Sequence, residues 1–389
     1  MFTLLAVSSI LIFNYLKPNV FLYTSMYGFS LVCFSIGIDG NFFGLWDYMY
    51  IKETAVNTVE ILYYWVVLFF SYVVFFTMLV NSRAGYELHN FRAVEVRSVA
   101  YILAFVSISA GLFNTFQAYS LVGFNSGVRN WELAFGKNVV TNYLFFLHLL
   151  SLVVLGYIIG SRKLILFDIV VVVMLLASSA LHGIKFTILH AFVFFSFSYF
   201  LGSRERISRI LIFVGVVFFS LIVLYFLFAR GGGFQGIVDY IFSASVNSIY
   251  IINVSSLYDV SSLSVLNPMG FIPTEKLYHR LINGGEFVRV YQGFYLNDLY
   301  NLEHAITKVG VGWGTGMIIY SFIFALIINK IRSKKIVRIE EIFLLVMVME
   351  SLLMFFTGFE FYKTKLWFNF IFAYVVFTFL RTIFRNRNY

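Results

Sequence analysis

Between Arg230 and Lys308 the sequence gathers side chains that could grip an anion and move a proton. Arg230 is followed directly by Gly231, Gly232 and Gly233; Arg280 and Arg289 lie further on; His304 has Tyr300 and Lys308 four residues to either side. A guanidinium holds phosphate oxygens in a bidentate fork, whereas an ammonium adds a point charge. The three glycines let backbone come close to a ligand, or act as a hinge. On a helix Tyr300, His304 and Lys308 share one face, with Asn301 beside them. An imidazole there titrates near neutrality and can take a proton from an attacking hydroxyl. Two further cations stand outside this stretch: Lys185, after the small residues of SSALHGIK, and Arg129, in SGVRNWELAFGK. Converging at one membrane face, these cations suit a lipid-linked pyrophosphate.

Each residue also has a plainer use. Basic residues at span ends snorkel or anchor, which applies to Lys185 and Arg230. Arg280 and Arg289 can simply face solvent, and His304 can sit at the interface without a catalytic task. His279 and His182 compete less well for the role of base.

Several familiar chemistries lack their residues. The single cysteine, Cys33, forms no internal disulfide and builds no cysteine metal site. No G-x-x-x-x-G-K-[ST], H-E-x-x-H or G-x-S-x-G occurs, so ATP-driven transport and metalloprotease chemistry have no support. Neither a metal nor a cofactor is expected.

The elements that must position these residues are membrane helices. Of 389 residues 60% are hydrophobic and 12% charged, and the mean hydropathy is +0.87, which is far from the roughly 25% charge of soluble domains. The 49 Phe and 26 Tyr suit lipid-facing surfaces and interfacial belts better than stacked ligands. Apolar runs at 2–16, 19–38, 59–80, 98–118, 139–160, 164–181, 186–202, 209–229, 309–330, 341–360 and 365–382 predict an all-α, polytopic protein of about eleven spans. The first run is short and begins at Met1, but no positive charge precedes it and no small-residue cleavage site follows, so it reads as a helix rather than a signal peptide.

Lysine and arginine set the orientation. With Arg381, Arg385 and Arg387 in the cytoplasm, alternation also puts Arg332, Lys334, Lys335, Arg204, Arg206, Arg162, Arg97 and Lys17 inside, and fewer basic residues outside. The N-terminus and the long loop 230–308, between the eighth and ninth spans, then face outward. The net charge of +9 is thus a matter of membrane orientation, and no nucleic-acid partner is implied. Without repeats or a second hydrophilic region, residues 1–389 read as a single membrane domain. Inside the loop, 235–257 fits a helix at the outer surface, 258–295 is irregular, and 296–308 turns helical again.

Three ionisable residues fall within the spans. Glu350, near the middle of the tenth, must be protonated, paired or in contact with water, and fits a proton relay. His148 lies near the middle of the fifth. Asp168, close to a cytoplasmic end, fits a snorkelling or capping role.

The order of SSALHGIK, an arginine closing the next span (FAR), a long outer loop, and then EHAITKVGVGWGTGMIIYSFIFALI resembles the Wzy-type O-antigen polymerases and the related O-antigen ligases over roughly residues 160–330. The resemblance implies a glycosyltransferase-C-like fold in the bacterial inner membrane and a metal-independent reaction on the periplasmic side. A polymerase would move a growing glycan from undecaprenyl pyrophosphate to the next lipid-linked repeat, in company with a chain-length-regulating co-polymerase. Lys185 stands where relatives often carry arginine, which keeps the charge without the fork. Arg230 matches a second basic position and His304 the base, with Ala305 where ligase-like members often have asparagine. By this likeness His304 and Arg230 are catalytic and Lys185 binds pyrophosphate; the residue chemistry above adds Arg129, Arg280, Arg289 and Tyr300 as binders of pyrophosphate or glycan. A ligase of the same group and a polysaccharide flippase or exporter are the alternatives, the last favoured by Glu350.

Overall fold

The computed structural model describes residues 1–42, 58–81, 87–88, 93–123, 134–135, 137–161, 165–181, 185–205, 220, 315–353 and 364–385. The fold is all-α. Its helices are α1 (Phe2–Leu16), α2 (Phe21–Phe42), α3 (Thr58–Met78), α4 (Ala93–Val122), α5 (Val139–Gly160), α6 (Leu166–Leu181), α7 (Lys185–Gly202), α8 (Thr315–Arg332), α9 (Ile339–Leu353) and α10 (Thr364–Arg385). One two-residue parallel pair, β1 (Glu87–Leu88) with β2 (Ile336–Val337), is added to them. The predicted span 209–229 and the loop 230–308 lie outside the described residues, Ser220 excepted.

Three described helical segments, Pro18–Asp39, Val96–Val122 and Val139–Gly160, are long and apolar enough to cross a bilayer, and the protein is a membrane protein. Phe2–Leu16, Trp65–Met78, Leu166–Ala180 and Thr187–Gly202 are apolar but shorter. Boundaries follow local chemistry. Pro18 opens a single 3-10 turn, Pro18–Val20, before α2, because its fixed φ suits a first turn and it has no N–H to lose. Asn138 accepts from the Thr141 amide at 3.3 Å and so starts α5. Gly123 follows α4 with φ +68 and bonds back to the Tyr119 carbonyl at 2.9 Å, an ending that favours glycine.

The chain divides into two compact units. The first comprises Met1–Ser82, Phe219–Lys330 and Ser351–Thr364. Within it the Asp39 carboxylate accepts from the Phe2 and Thr3 amides at 3.0 and 2.8 Å, capping the start of α1. The Lys17 ammonium donates to the Phe76, Thr77 and Leu79 carbonyls at the end of α3, at 2.8, 3.2 and 2.6 Å, where the helix dipole favours a cation. Asn329 joins the same corner, donating to the Met78 carbonyl and accepting from the Val80 amide. Phe13 stacks on Phe76 with centroids 4.2 Å apart, and Tyr27 bonds the Ser321 hydroxyl at 2.8 Å.

The second unit comprises Arg83–Phe218, Ile331–Glu350 and Lys365–Tyr389. Helix α5 is its axis: every residue from Phe145 to Ile158, and Gly160, is buried, as suits a helix that is apolar around its circumference. Helix α4 lies antiparallel to it, with the Ser151 hydroxyl donating to the Ala100 carbonyl at 2.9 Å, Ser107 donating to the Phe145 carbonyl and Thr141 donating to Asn114.

Helix α7 runs parallel to α5, and the contact is made of small residues. Gly156 and Gly160 on α5 face Ser198 and Gly202 on α7. A methyl at Gly156 would strike the Ser198 hydroxyl and the Phe195 carbonyl, one at Gly160 the Tyr199 carbonyl, and one at Gly202 the Tyr157 carbonyl. Backbones this close need the absence of Cβ, as in small-xxx-small packing of membrane helices. Helix α9 crosses the same neighbourhood with Phe343 against Phe194, centroids 5.3 Å apart.

Candidate functional site

Arg129, Arg230, Arg280, Arg289, Tyr300 and His304 lie outside the described residues. Lys185 is the first residue of α7. What the described helices bring together is a different set: His190 on α7, Glu350 on α9 and His148 on α5, with Lys365 of α10 close by.

The α5–α7 register produces half of it. Gly156 sits opposite Ser198; His148 is two turns and a fraction before Gly156, and His190 the same distance before Ser198. At 1.5 Å per residue in parallel helices, both histidines stand about 12 Å from that contact, at one level. His148 lies within electrostatic range of His190 and Lys365. The Lys365 ammonium lies 4.2 Å from the centre of the Phe146 ring.

His190 Nδ1 is hydrogen-bonded to Glu350 Oε1, across 160 residues of sequence. The carboxylate is fully buried and His190 is 4% exposed. His148 is fully buried too. Its Nδ1 lies 2.7 Å from the Phe145 carbonyl oxygen, which can only accept, so Nδ1 carries the hydrogen and Nε2 presents a lone pair. That Nε2 has no hydrogen-bond partner among the described residues. Buried nitrogens in native proteins are nearly always satisfied, and an exception of this kind marks a place to look for chemistry.

The opposite end of the unit is built differently. Asp168 is buried at the start of α6, where it accepts from Arg97 Nε at 3.0 Å, from the Tyr101 hydroxyl at 2.6 Å and from the Ile165 amide at 3.1 Å. The last of these is a reciprocal cap three residues into the helix. Capping was one of the two roles expected of Asp168; snorkelling is replaced by a buried ion pair.

Glu205 receives Arg332 in a bidentate pair at 3.0 Å for each bond, and Arg381 holds Glu340 at 3.1 and 2.6 Å. Lys334 pairs with Glu341. Arg204 and Glu205, at φ 59 and 57, are the non-glycine residues with positive φ among those described. That conformation is costly for a residue with Cβ, and the Arg332 fork holds the second of them in it.

Sequence reasoning identified Glu350 and His148 but not His190. ILHAFVFF offers no polar neighbour, and the partner lies in another helix far along the chain. The signal was available, because an ionisable residue inside an apolar helix is as expensive at 190 as at 350. Glu350 lies on α9, three residues before Leu353, the last described residue of that helix. Among the described residues no group of three or more His, Cys, Asp or Glu is arranged to hold a metal ion. No family model matches the chain, and comparison with curated proteins and with solved structures gives no match either.

Proposed function

We propose that the chain is a polymerase of undecaprenyl-pyrophosphate-linked oligosaccharide repeats, with about eleven spans, a glycosyltransferase-C-like fold and an active face on the periplasmic side of the inner membrane. The observation that carries the reading is the order of SSALHGIK, FAR, the polar stretch 230–308 and EHAITKVG. What also supports it is that Lys185 opens α7 five residues before His190, so a cation and an ionisable pair lie in the same half of that helix.

In this reading Arg230, Lys185, Arg129, Arg280 and Arg289 hold the pyrophosphate, and charge developing on the leaving group is met by fixed cations. The bond from the anomeric carbon to the pyrophosphate oxygen breaks, and a bond to the acceptor hydroxyl oxygen forms. His304 takes the hydroxyl proton, while Tyr300 contacts the glycan. Because the leaving group is already good, the step requires no nucleotide. The partners are the lipid-linked oligosaccharide, membrane lipid and a chain-length-regulating co-polymerase.

One observation favours a second reading, a proton-coupled exporter of polysaccharide: a carboxylate paired with histidine inside apolar helices is a common arrangement for moving protons. Deleting the gene separates the readings. A polymerase leaves lipid A core bearing a single repeat, because one unit is still flipped and ligated; core with no repeat indicates an exporter or a ligase. Gel separation of the lipopolysaccharide reads the result.

A further inference from the structure

The paired carboxylates among the described residues of the second unit have two kinds of partner. Asp168, Glu205, Glu340 and Glu341 meet arginine or lysine, which keep their protons at any physiological pH. Glu350 meets His190, whose imidazole exists in forms with one or two ring hydrogens. A pair of this kind can exist with or without an extra proton on the imidazole. With it the pair is neutral overall, and without it a buried negative charge remains. In an apolar interior the neutral form is favoured, so the pair holds a proton that it can also release.

A second acceptor stands level with the first. His148 Nε2 carries a lone pair, is fully buried and has no hydrogen-bond partner among the described residues. The small-residue contact between α5 and α7 fixes its height relative to His190.

The titratable and charged groups on the packed elements can be named. On α5 there is His148 itself. On α4 and α6, Arg97 and Asp168 neutralise one another at the opposite end. On α9, Glu340 and Glu341 are paired with Arg381 and Lys334, also at that end. On α10 Lys365 lies over the Phe146 ring, and α7 itself begins at Lys185.

We propose that His190, Glu350 and His148 form a buried proton-binding site, in which the His190–Glu350 pair holds a labile proton and His148 Nε2 is its second station. Its use in the chain is to take over the proton that His304 first accepts from the acceptor hydroxyl as each glycosidic bond forms. That use rests on the polymerase reading; the proton-binding site itself does not.

The test has two arms on the purified full-length protein, with Glu350→Gln, His190→Gln and His148→Gln. His190→Gln keeps a donor for the carboxylate, and all variants are first matched for helical content and monodispersity. In the first arm, proton uptake is measured on stepping from about pH 10 to 3, a range wide enough to include groups shifted by burial, with infrared difference spectra of the carboxyl group. The expected result is that Glu350→Gln loses the carboxyl signal, that His190→Gln shifts it, and that His148→Gln takes up about one proton fewer. If all three variants match the parent in uptake and spectrum, no proton site exists here. Should Glu350→Gln fail to fold, the two histidine variants decide.

In the second arm, chain extension is followed with lipid-linked repeats. His148→Gln is expected to lower kcat with KM unchanged and to displace the pH–rate profile. Parent rate and parent profile in all three variants overturn the use. A parent that takes up the proton but extends no chain overturns the polymerase reading and leaves the proton site standing.

Discussion

The bare Cα of Gly160 on α5 lies against the carbonyl of Tyr199 on α7, so close that a single methyl group would collide with it. This contact, with Gly156 against Ser198 and Gly202 against Tyr157, sets the axial register of two parallel helices. His148 and His190 are level because of that register. Packing by absent side chains therefore determines where ionisable ones meet.

Gly160→Ala tests the contact. The obstacle is backbone rather than a rotatable side chain, so the helices must separate, and overpacking of this kind costs about 1–3 kcal/mol. Thermal unfolding in detergent is expected to show a clear drop. Gly123→Asn serves as a control: it has open space around it and a φ of +68 that asparagine tolerates, so its unfolding temperature should stay near that of the parent.

The buried pair Arg97–Asp168 gives a second prediction. Asp168→Ala removes the carboxylate from a guanidinium that is 11% exposed, and breaking a buried ion pair costs about 3–5 kcal/mol. Arg97→Met combined with Asp168→Leu should recover most of this loss, since apolar replacements remove both desolvated charges. A double-mutant cycle on unfolding midpoints measures the coupling. Additive single effects would show that the pair does not act as a unit.

Helices were the legible part of this protein, and the reason is physical. In lipid a backbone must satisfy its own hydrogen bonds, so a long apolar run has few other conformations open to it. Residues 2–16 and 139–160 are helical over the ranges read from the sequence. The run 98–118 is too short because α4 extends back through Arg97, a charged residue that an apolarity count stops at and that Asp168 makes acceptable within the helix. The G-x-x-x-G of Gly156 and Gly160 was visible in the sequence, but its partner, Ser198 and Gly202, is recognisable only once α5 and α7 are seen to be parallel neighbours. The pairing of His190 with Glu350 was hidden for a similar reason: no spacing rule links residue 190 to residue 350.

Lys17 offers a prediction in the first unit. Its ammonium closes the end of α3 by donating to three carbonyls, and hydrogen bonds to a charged group contribute about 1.5–3 kcal/mol. Lys17→Met keeps the stem and removes the donors. Its unfolding temperature should fall, and Lys17→Arg should restore part of the loss. A methionine variant as stable as the parent would make the lysine a surface ornament of this corner.

Arg230 tests the proposed anion grip. Arg230→Ala is expected to abolish chain extension, whereas Arg230→Lys keeps part of it, because a point charge still attracts pyrophosphate without the planar fork. The readout is the lipopolysaccharide ladder at matched membrane levels, since an arginine following the apolar run 209–229 also affects insertion. A normal ladder in the alanine variant would remove Arg230 from the site.

His304 is the residue on which the proposed mechanism turns. As the base, it must be neutral when the acceptor hydroxyl attacks, so the rate should fall as pH drops through the imidazole pKa, ordinarily about 6.5. His304→Ala should lower turnover with purified lipid-linked repeats by about 10²–10⁴-fold, the usual contribution of a positioned acid or base. Donor binding should change little, because the cations hold the pyrophosphate, and a chelator should leave both proteins unaffected. The alanine variant should also lose the acid limb of the pH profile that His304 imposes, which a merely structural histidine would not govern. Extension at the parent rate in His304→Ala would transfer the role of base to Glu303, to Asp298 or to a group on the substrate itself.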